Sequence, residues 1–474
     1  MANQRTRRDF LKVTAVGIAG SAAAEMAPSL RAESGAAGPV DVWMTNETLR
    51  CAKVEPAQWK KSAAPAGTPT VVLSPDKKFQ TIAGFGGAFT DAACFTMNRL
   101  EAGARAQLFH EMFHPSALGL SVCRTCMGAS DYSTEVFSYD EGDPDPDLQR
   151  FSIDHDRKYV LPMLQEALRV NSEMLLFSSP WSPPGWMKAN GSMLGGSMRR
   201  KYLKNYAQYF VKFIQAYGTA GIPISAVTPQ NEVDTDQDGR MPACIWPQEY
   251  EIEFVRILGP LLEQNGLKTK IWVLDHNYNL WGRAVCELED PGLRKYCNDV
   301  AWHGYVGNAQ MMLRVRDAFP DVGMHWTEGG PDYTSPDYLS DWAHWTQVFS
   351  ETLRNWCESI TAWNLALDEK GRPNIGPFPC GGIVTIHSET NEITRSGQFW
   401  ALAHFSKFIR RGARRLDSKS DAQGLHHVMV ENPDGSRVVV LGNSADARSV
   451  TVQLPGSATE IHLEKNAVAT LTWR

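Results

Sequence analysis

The sequence predicts an α/β fold: a (β/α)8 TIM barrel with a β-sandwich side domain built from both chain ends. Three features predict it. Eight apolar runs, near 81–89, 120–127, 174–179, 224–229, 270–274, 300–303, 324–326 and 360–365, alternate with helical patterns. The alternation fills roughly 300 residues, the size of eight strand–helix units with insertions. Both ends of the chain read instead as short strands broken by turns. The competing architecture, an open doubly wound sheet, would want a Gly-rich phosphate loop after its first strand. Gly84-Phe85-Gly86-Gly87 lacks that spacing.

In chain order, residues 1–38 form a signal and linker. Thr6-Arg7-Arg8-Asp9-Phe10-Leu11-Lys12 and the weakly apolar run 13–24 match a twin-arginine export signal, with cleavage after Ala24 or Ala32. The protein is expected to be exported, periplasmic or secreted. That run is too short to span a bilayer, and no later stretch of about eighteen uninterrupted apolar residues exists, so no permanent membrane anchor is expected. A Gly/Ala/Ser linker at 34–39 leads to strand-like pieces at 42–54 and 68–73, the N-terminal part (39–78) of the side domain. The barrel is assigned 79–395. Within it, Leu203, Tyr206, Phe210, Phe213, Ile214 and Tyr217 form an apolar stripe at helical spacing, and 159–170 is a second helix. Residues 396–474 complete the side domain. From Gly424 on, strands at 427–430, 438–441, 450–454, 461–463 and 467–473 are expected, with Asn432-Pro433-Asp434-Gly435 as a hairpin turn. Neither end makes a stable sheet alone, so the two should combine.

Composition narrows the function. A net charge of -6 over 474 residues argues against a nucleic-acid or anionic-membrane partner. Fifteen tryptophans suit a surface that stacks flat rings, although a large barrel buries many aromatics in any case. Nine cysteines leave at least one thiol unpaired in a monomer. Cys123-Arg124-Thr125-Cys126 has redox or zinc half-site spacing, but no second CxxC accompanies it and it lies in a strand-like run. Buried structural cysteines are the better reading. No cofactor and no metal site are expected. Asp234-Thr235-Asp236-Gln237-Asp238-Gly239 opens like a calcium loop, yet its twelfth position is Ile245 instead of a bidentate Glu. It reads as a solvated acidic loop rimming the barrel mouth.

Catalysis in a barrel lives at the C-terminal strand ends. The second run ends near Asp131, the third near Trp181 and the fourth at Asn231-Glu232. The fifth ends at Asp275-His276-Asn277, the sixth at His303 and Tyr305, the seventh at Glu328 and the eighth at Trp363-Asn364. Glu232 and Glu328 lie three strand–helix units apart, on strands that face one another across the mouth. Such a pair suits glycoside hydrolysis, which needs one neutral acid for the leaving oxygen and one carboxylate to attack or to activate water. A lone Glu at a strand end is more often an ion pair or a cap.

Longer stretches go further. Thr228-Pro229-Gln230-Asn231-Glu232-Val233 resembles the Asn-Glu acid/base signature of retaining barrel glycosidases. The chain from about 79 to 409 resembles glycoside hydrolase family 30, the family of acid β-glucosidase (glucosylceramidase). The resemblance is carried by 84–93 (GFGGAFTDAA), 129–133 (ASDYS), 178–188 (SSPWSPPGWMK), 363–367 (WNLAL) and 404–409 (HFSKFI). It implies Glu232 as general acid/base and Glu328 as nucleophile. A raised pKa is expected for Glu232, caused by the charge of Glu328. The resemblance implies that Asn231 bonds the sugar 2-hydroxyl, that Tyr305 positions the nucleophile beside His303, and that Arg124 keeps Glu328 ionised. Asp131, Trp181 and Trp363 would cradle the glucose ring. Other readings stay open: Trp181 and Trp186 as packing of a proline-rich loop, His303 as a core histidine, Asp91 as structural.

The substrate implied is a β-linked glucoside, oligosaccharide or glycolipid. Where glucosylceramidases tend to carry Pro after the acid/base, this chain has Val233 and then the acidic loop. That departure points as well to endo-β-1,6-glucanase or β-xylosidase action. A non-catalytic carbohydrate-binding barrel is the alternative of a different class. The presence of both carboxylates counts against it.

Overall fold

The parallel strands form as their burial requires. In the computed structural model, which describes residues 38–61 and 67–474, eight strands close into a barrel in chain order. They are β1 (Gly84–Phe89), β2 (Val122–Cys126), β3 (Leu175–Ser179), β4 (Ala226–Val227), β5 (Lys270–Asn277), β6 (Asp299–His303), β7 (Gly323–Glu328) and β8 (Ser359–Asn364). The expected twin-arginine leader, both expected cleavage positions and most of the expected linker lie outside the described residues. Strands covered on both faces read as near-continuous apolar runs, and every residue of β1, β2 and β8 is buried. Glycines in β1 permit close approach and do not bind phosphate. A Cβ on Gly86 would sit 1.8 Å from the Val122 carbonyl oxygen, and one on Gly87 would sit 2.7 Å from Ile383.

Helices cover the barrel as the apolar stripes predict. Leu203–Thr219 buries Tyr206, Phe210, Phe213, Ile214 and Tyr217, and Val160–Val170 buries Val160, Leu161, Met163, Leu164 and Ala167. Tyr206 and Phe210 pack on Phe254 of the following helix, Gln248–Gln264, with ring centroids 5.6 and 5.1 Å apart.

The side domain draws Val40–Thr45, Ala52–Ala57 and Thr70–Thr81 from one end of the chain. Arg414–Lys419, Leu425–Glu431, Arg437–Asn443, Arg448–Leu454, Ser457–Leu463 and Ala467–Trp473 come from the other. All nine share one hydrogen-bonded order. A bridge between Lys60 and Ala458 brings the two ends of that order together, so the sheet folds over its own core of Val42, Leu73, Val439, Val452 and Leu471. The hairpin turn falls where Asp434-Gly435 requires it, with Gly435 at φ +81°.

The strands begin at Arg414, ten residues before the expected start at Gly424. The sequence Arg-Arg-Leu-Asp-Ser-Lys hides a central strand because its buried Arg415 is an aromatic partner, with its guanidinium 3.7 Å from the Phe79 ring centroid. Helix Gly397–Ser406 seals the seam between barrel and side domain. Its His404 hydrogen-bonds Thr45 and Thr470 of two side-domain strands, each at 2.8 Å.

Candidate active site

Beyond the ends of the strands lies a cavity of about 480 Å³. Seven of the nine residues expected from the sequence line it: Asp131, Trp181, Asn231, Glu232, Tyr305, Glu328 and Trp363. The other two, Arg124 and His303, are wholly buried and touch the carboxylates directly.

Arg124 projects inward from β2. Its Nη1 donates to Glu328 Oε2 at 2.6 Å, and Nη2 donates to Asp275 Oδ2 and Asn231 Oδ1, each at 2.8 Å. A guanidinium with no solvent exposure is tolerable only if its charge and donors are met, and two carboxylates meet them. The guanidinium also lies 4.6 Å from the Trp181 ring centroid, and Trp181 stacks on Trp363 with centroids 5.0 Å apart. The paired indoles form one wall. Asp131, nearly buried, has an Oδ1 without a hydrogen-bond partner, an acceptor left free for a ligand hydroxyl. Burial and then the charges of Glu328 and Glu232 push its carboxyl well above the usual carboxylate range.

The centre of the array is a residue that the sequence reading placed at a strand end without giving it a role. Asp275, fully buried, accepts from Arg124, Ser179, Thr228, His303 and Thr327 at 2.7–3.1 Å. Burial opposes its ionisation, but Arg124, His303 and Thr228 more than reverse this and hold it far below the ordinary aspartate value. Leu274 and Asp275 take φ of +75° and +46°, in the left-handed region. Glu232 does the same at φ +54°, and its N–H donates to the Asp275 carbonyl at 3.1 Å. Strained backbone of this kind gathers at functional sites.

Both glutamates approach the same imidazole. His303 Nδ1 is 3.5 Å from Glu232 Oε1, while Nε2 is 3.9 Å from Glu328 Oε2. The carboxylates therefore sit within about 10 Å of each other, the range over which glycosidase pairs work. Tyr305 donates to Glu328 Oε1 at 3.1 Å. Burial and the Glu328 charge push the Tyr305 hydroxyl well above the usual phenol range, so it stays a donor.

The expected raised pKa of Glu232 is not what the site shows. Burial pushes Glu232 up, but the close approach of His303 and the charges of His276 and His303 outweigh it, and the carboxyl lies below the ordinary glutamate value. Glu328 is the raised one: burial leads, Glu232 and Asp275 add to it, and His303 and Arg124 oppose it. Burial lowers His303, but Glu328 and the contacts to Asp275 and Glu232 carry it up to about 9. The imidazole between the two carboxylates thus holds the proton that the sequence reading gave to Glu232.

The acidic loop does more than rim the mouth. Gln237 donates to Glu232 Oε2 at 2.9 Å, and Asp234 Oδ1 meets His276 Nε2 at 2.6 Å. Gln237, His276, Met241 and Phe378 join the cavity wall; Gln237 and His276 were named from the sequence without a role, and Met241 and Phe378 were not named. The signals were present: Asp275-His276 stands at a strand end and Gln237 is five residues past Glu232. Asp91 is structural, accepting from Thr134 and contacting His155 at 2.8 Å. Trp186 donates to the Asp140 carbonyl and packs its loop. Cys123 and Cys126 are buried free thiols, and burial pushes Cys123 up to about 12.

Comparison with known proteins agrees with this geometry. Residues 82–409 match the glycosyl hydrolase family 30 TIM-barrel domain, and 412–471 match the family's β-sandwich domain. The chain is 32% identical over 395 residues to an endo-1,6-beta-D-glucanase of Neurospora crassa, covering 79% of this chain and 81% of that one. It is 31% identical over 410 residues to the lysosomal acid glucosylceramidase of Mus musculus, covering 81% and 79%. Among solved structures, an endo-beta1,6-glucanase superposes with a TM-score of 0.83 at 28% identity, covering 92% of this chain and 99% of that one. SrfJ from Salmonella typhimurium gives 0.87 at 26% identity, covering 92% and 100%.

Proposed function

This chain belongs to glycosyl hydrolase family 30 and is a retaining β-glycosidase; from that premise we propose that it hydrolyses β-glucosidic bonds with Glu328 as nucleophile and Glu232 as acid/base. The observation that carries the assignment is the shared imidazole: both carboxylates contact His303 inside one cavity.

Glu328 suits attack. Arg124 takes its Oε2, which leaves Oε1, under the Tyr305 hydroxyl, toward the sugar. As Oε1 bonds the anomeric carbon, the leaving oxygen takes a proton from Glu232, which His303 can replenish through its Nδ1. Glycosylation removes the charge of Glu328, the largest influence holding the proton on His303. Glu232, ionised once its proton has gone to the leaving oxygen, is then set to take a proton from water and release the sugar. Asn231 and Asp131 supply polar contacts for hydroxyls, and the indole pair supplies an apolar face.

The leaving-group side is bordered by Gln237 and Thr235 of the acidic loop. Polar groups there favour a second sugar as aglycone, as in a β-1,6-linked gluco-oligosaccharide. A glycolipid is the second reading, supported by Met241 and Phe378 on the same cavity wall. The twin-arginine leader supports export to the periplasm or medium.

An aryl β-glucoside, an aryl β-xyloside, β-1,6-glucan and glucosylceramide, each followed by anomeric NMR, test the proposal. The β-anomer should form first, and Glu328→Gln should lose essentially all turnover. First appearance of the α-anomer, or undiminished turnover in that variant, would refute the assignment.

A further inference from the structure

We propose that Glu232, His276 and His303 form a binding site for one borderline divalent transition-metal cation, Zn²⁺ or its like, which blocks the acid/base when bound. The three come from the ends of the consecutive strands β4, β5 and β6, and one ligand atom of each lies within 4.8 Å of the others. His276 Nδ1 and His303 Nδ1 stand 3.8 and 3.5 Å from Glu232 Oε1. Both nitrogens are buried and neither makes a hydrogen bond of ordinary geometry. Polar atoms in that state need a partner.

The remaining atoms are occupied in the way a metal site needs. His276 Nε2 meets Asp234 Oδ1 at 2.6 Å, and His303 Nε2 meets Asp275 Oδ1 at 3.1 Å. A carboxylate on the far nitrogen holds the Nε2 proton, the outer-shell arrangement of histidine sites, so a metal that displaces the Nδ1 proton of His303 meets a lone pair there. Gln237 holds Glu232 Oε2 at 2.9 Å, which leaves Oε1 as the free carboxylate atom facing both imidazoles. With metal–ligand bonds of about 2.0–2.2 Å, tetrahedral ligand atoms lie roughly 3.3 Å apart, so no pair of the triad must close by more than about 1.5 Å. Two imidazoles and one carboxylate select Zn²⁺, Co²⁺ or Cu²⁺ over Mg²⁺ or Ca²⁺, which prefer all-oxygen shells. The fourth position opens on the cavity, since Glu232 and His276 both line it.

The test is direct binding to the full chain after chelator treatment. Titration with Co²⁺ should develop the visible d–d bands of a low-coordinate site at one ion per chain, and Zn²⁺ should displace it. Zn²⁺ should also inhibit aryl β-glucoside hydrolysis, reversibly by chelator. His276→Gln should abolish the bands. Asp234→Asn, a change on a half-exposed side chain with little leverage on folding, should weaken Co²⁺ binding by about 10–100-fold. Absence of Co²⁺ bands in the wild-type chain would overturn the site, as would bands of equal strength in both variants. The spectra need no turnover, so the metal site can fail without the glycosidase reading failing, and the converse.

Discussion

Replacing Tyr305 by Phe removes one hydroxyl and little else. Tyr305 as a residue is 45% exposed, with only its hydroxyl reaching the buried carboxylate, so folding stability should stay within about 0.5 kcal/mol of the parent. What is lost is the 3.1 Å bond to Glu328 Oε1, the oxygen assigned to attack. A hydrogen bond to a charged group contributes about 1.5–3 kcal/mol, or roughly 10–150-fold in rate at 1.36 kcal/mol per decade. The two chemical steps should not share the loss equally. In glycosylation Oε1 gives up negative charge, so losing the donor makes it a better nucleophile and offsets its poorer alignment. In deglycosylation the carboxylate leaves and regains that charge, and the missing donor is felt in full. With an activated aryl β-glucoside, Tyr305→Phe should therefore lower kcat about 10–150-fold. kcat/KM should fall by less, so KM should fall too, and a pre-steady-state burst of aryl alcohol should appear. Equal loss in kcat and kcat/KM with no burst would refute the assignment of Oε1 as the attacking atom.

Other outcomes follow from the same geometry. Glu232→Ala should keep glycosylation by a dinitrophenyl β-glucoside, which needs no acid, but stall about 10²–10⁴-fold at deglycosylation; azide should restore turnover and yield the β-glucosyl azide, and no azide effect would count against the acid/base role. Asp275→Asn faces five donors with an amide and removes the charge opposite Arg124, so the variant should unfold about 3–5 kcal/mol more easily in denaturant and lose at least 100-fold in kcat. An unchanged denaturant midpoint would show that the anion is not what holds the array together. His404 and His427 are buried neutral, and burial lowers each to about 3. The unfolded chain takes up those protons first, so their contribution is complete above about pH 6.5 and is lost as pH falls toward 3. At pH 4.5 this amounts to about 2–3 kcal/mol for each. Thermal melts at pH 7 and 4.5 should show the decline, and His404→Gln should flatten it; an unaltered slope would remove His404 from the explanation.

The fold was legible because burial on both faces of a parallel strand leaves a continuous apolar run, and each of the eight runs became a barrel strand. β4 could be read even though only Ala226 and Val227 are paired, since the run around them is apolar whatever its pairing. Arg414–Lys419 was illegible for the converse reason. Its burial rests on a guanidinium stacked over Phe79, and the aromatic partner is 336 positions away in the chain. The lining residues that carry charge or large rings at strand ends were also readable. Gln237 and Phe378 were not, because loops are placed by tertiary contacts: the Tyr132 hydroxyl donates to the Phe378 carbonyl at 2.7 Å and receives the Cys380 N–H at 2.8 Å.

Asp275 and His276 were named at their strand end but given no role, for a more particular reason. A strand has period two, so consecutive side chains point to opposite faces, and regular alternation would give the site either His276 or the pair Asp275 and Asn277. The structure uses all three: Asp275 binds Arg124, while His276 and Asn277 line the cavity. The left-handed φ of Leu274 and Asp275, and the register shift between Leu274 and His276, break the alternation. Left-handed backbone costs a non-glycine residue about 1–2 kcal/mol, so something must hold it there. The Leu274 N–H is fastened by buried Glu251 at 2.9 Å, and the Asp275 carbonyl accepts the N–H of Glu232, itself left-handed. The assigned acid/base stands beyond a strand only two residues long, too short to fix its direction. Its position is set through that bond by the end of β5, and the irregularity that hid the role of Asp275 is also what aims Glu232.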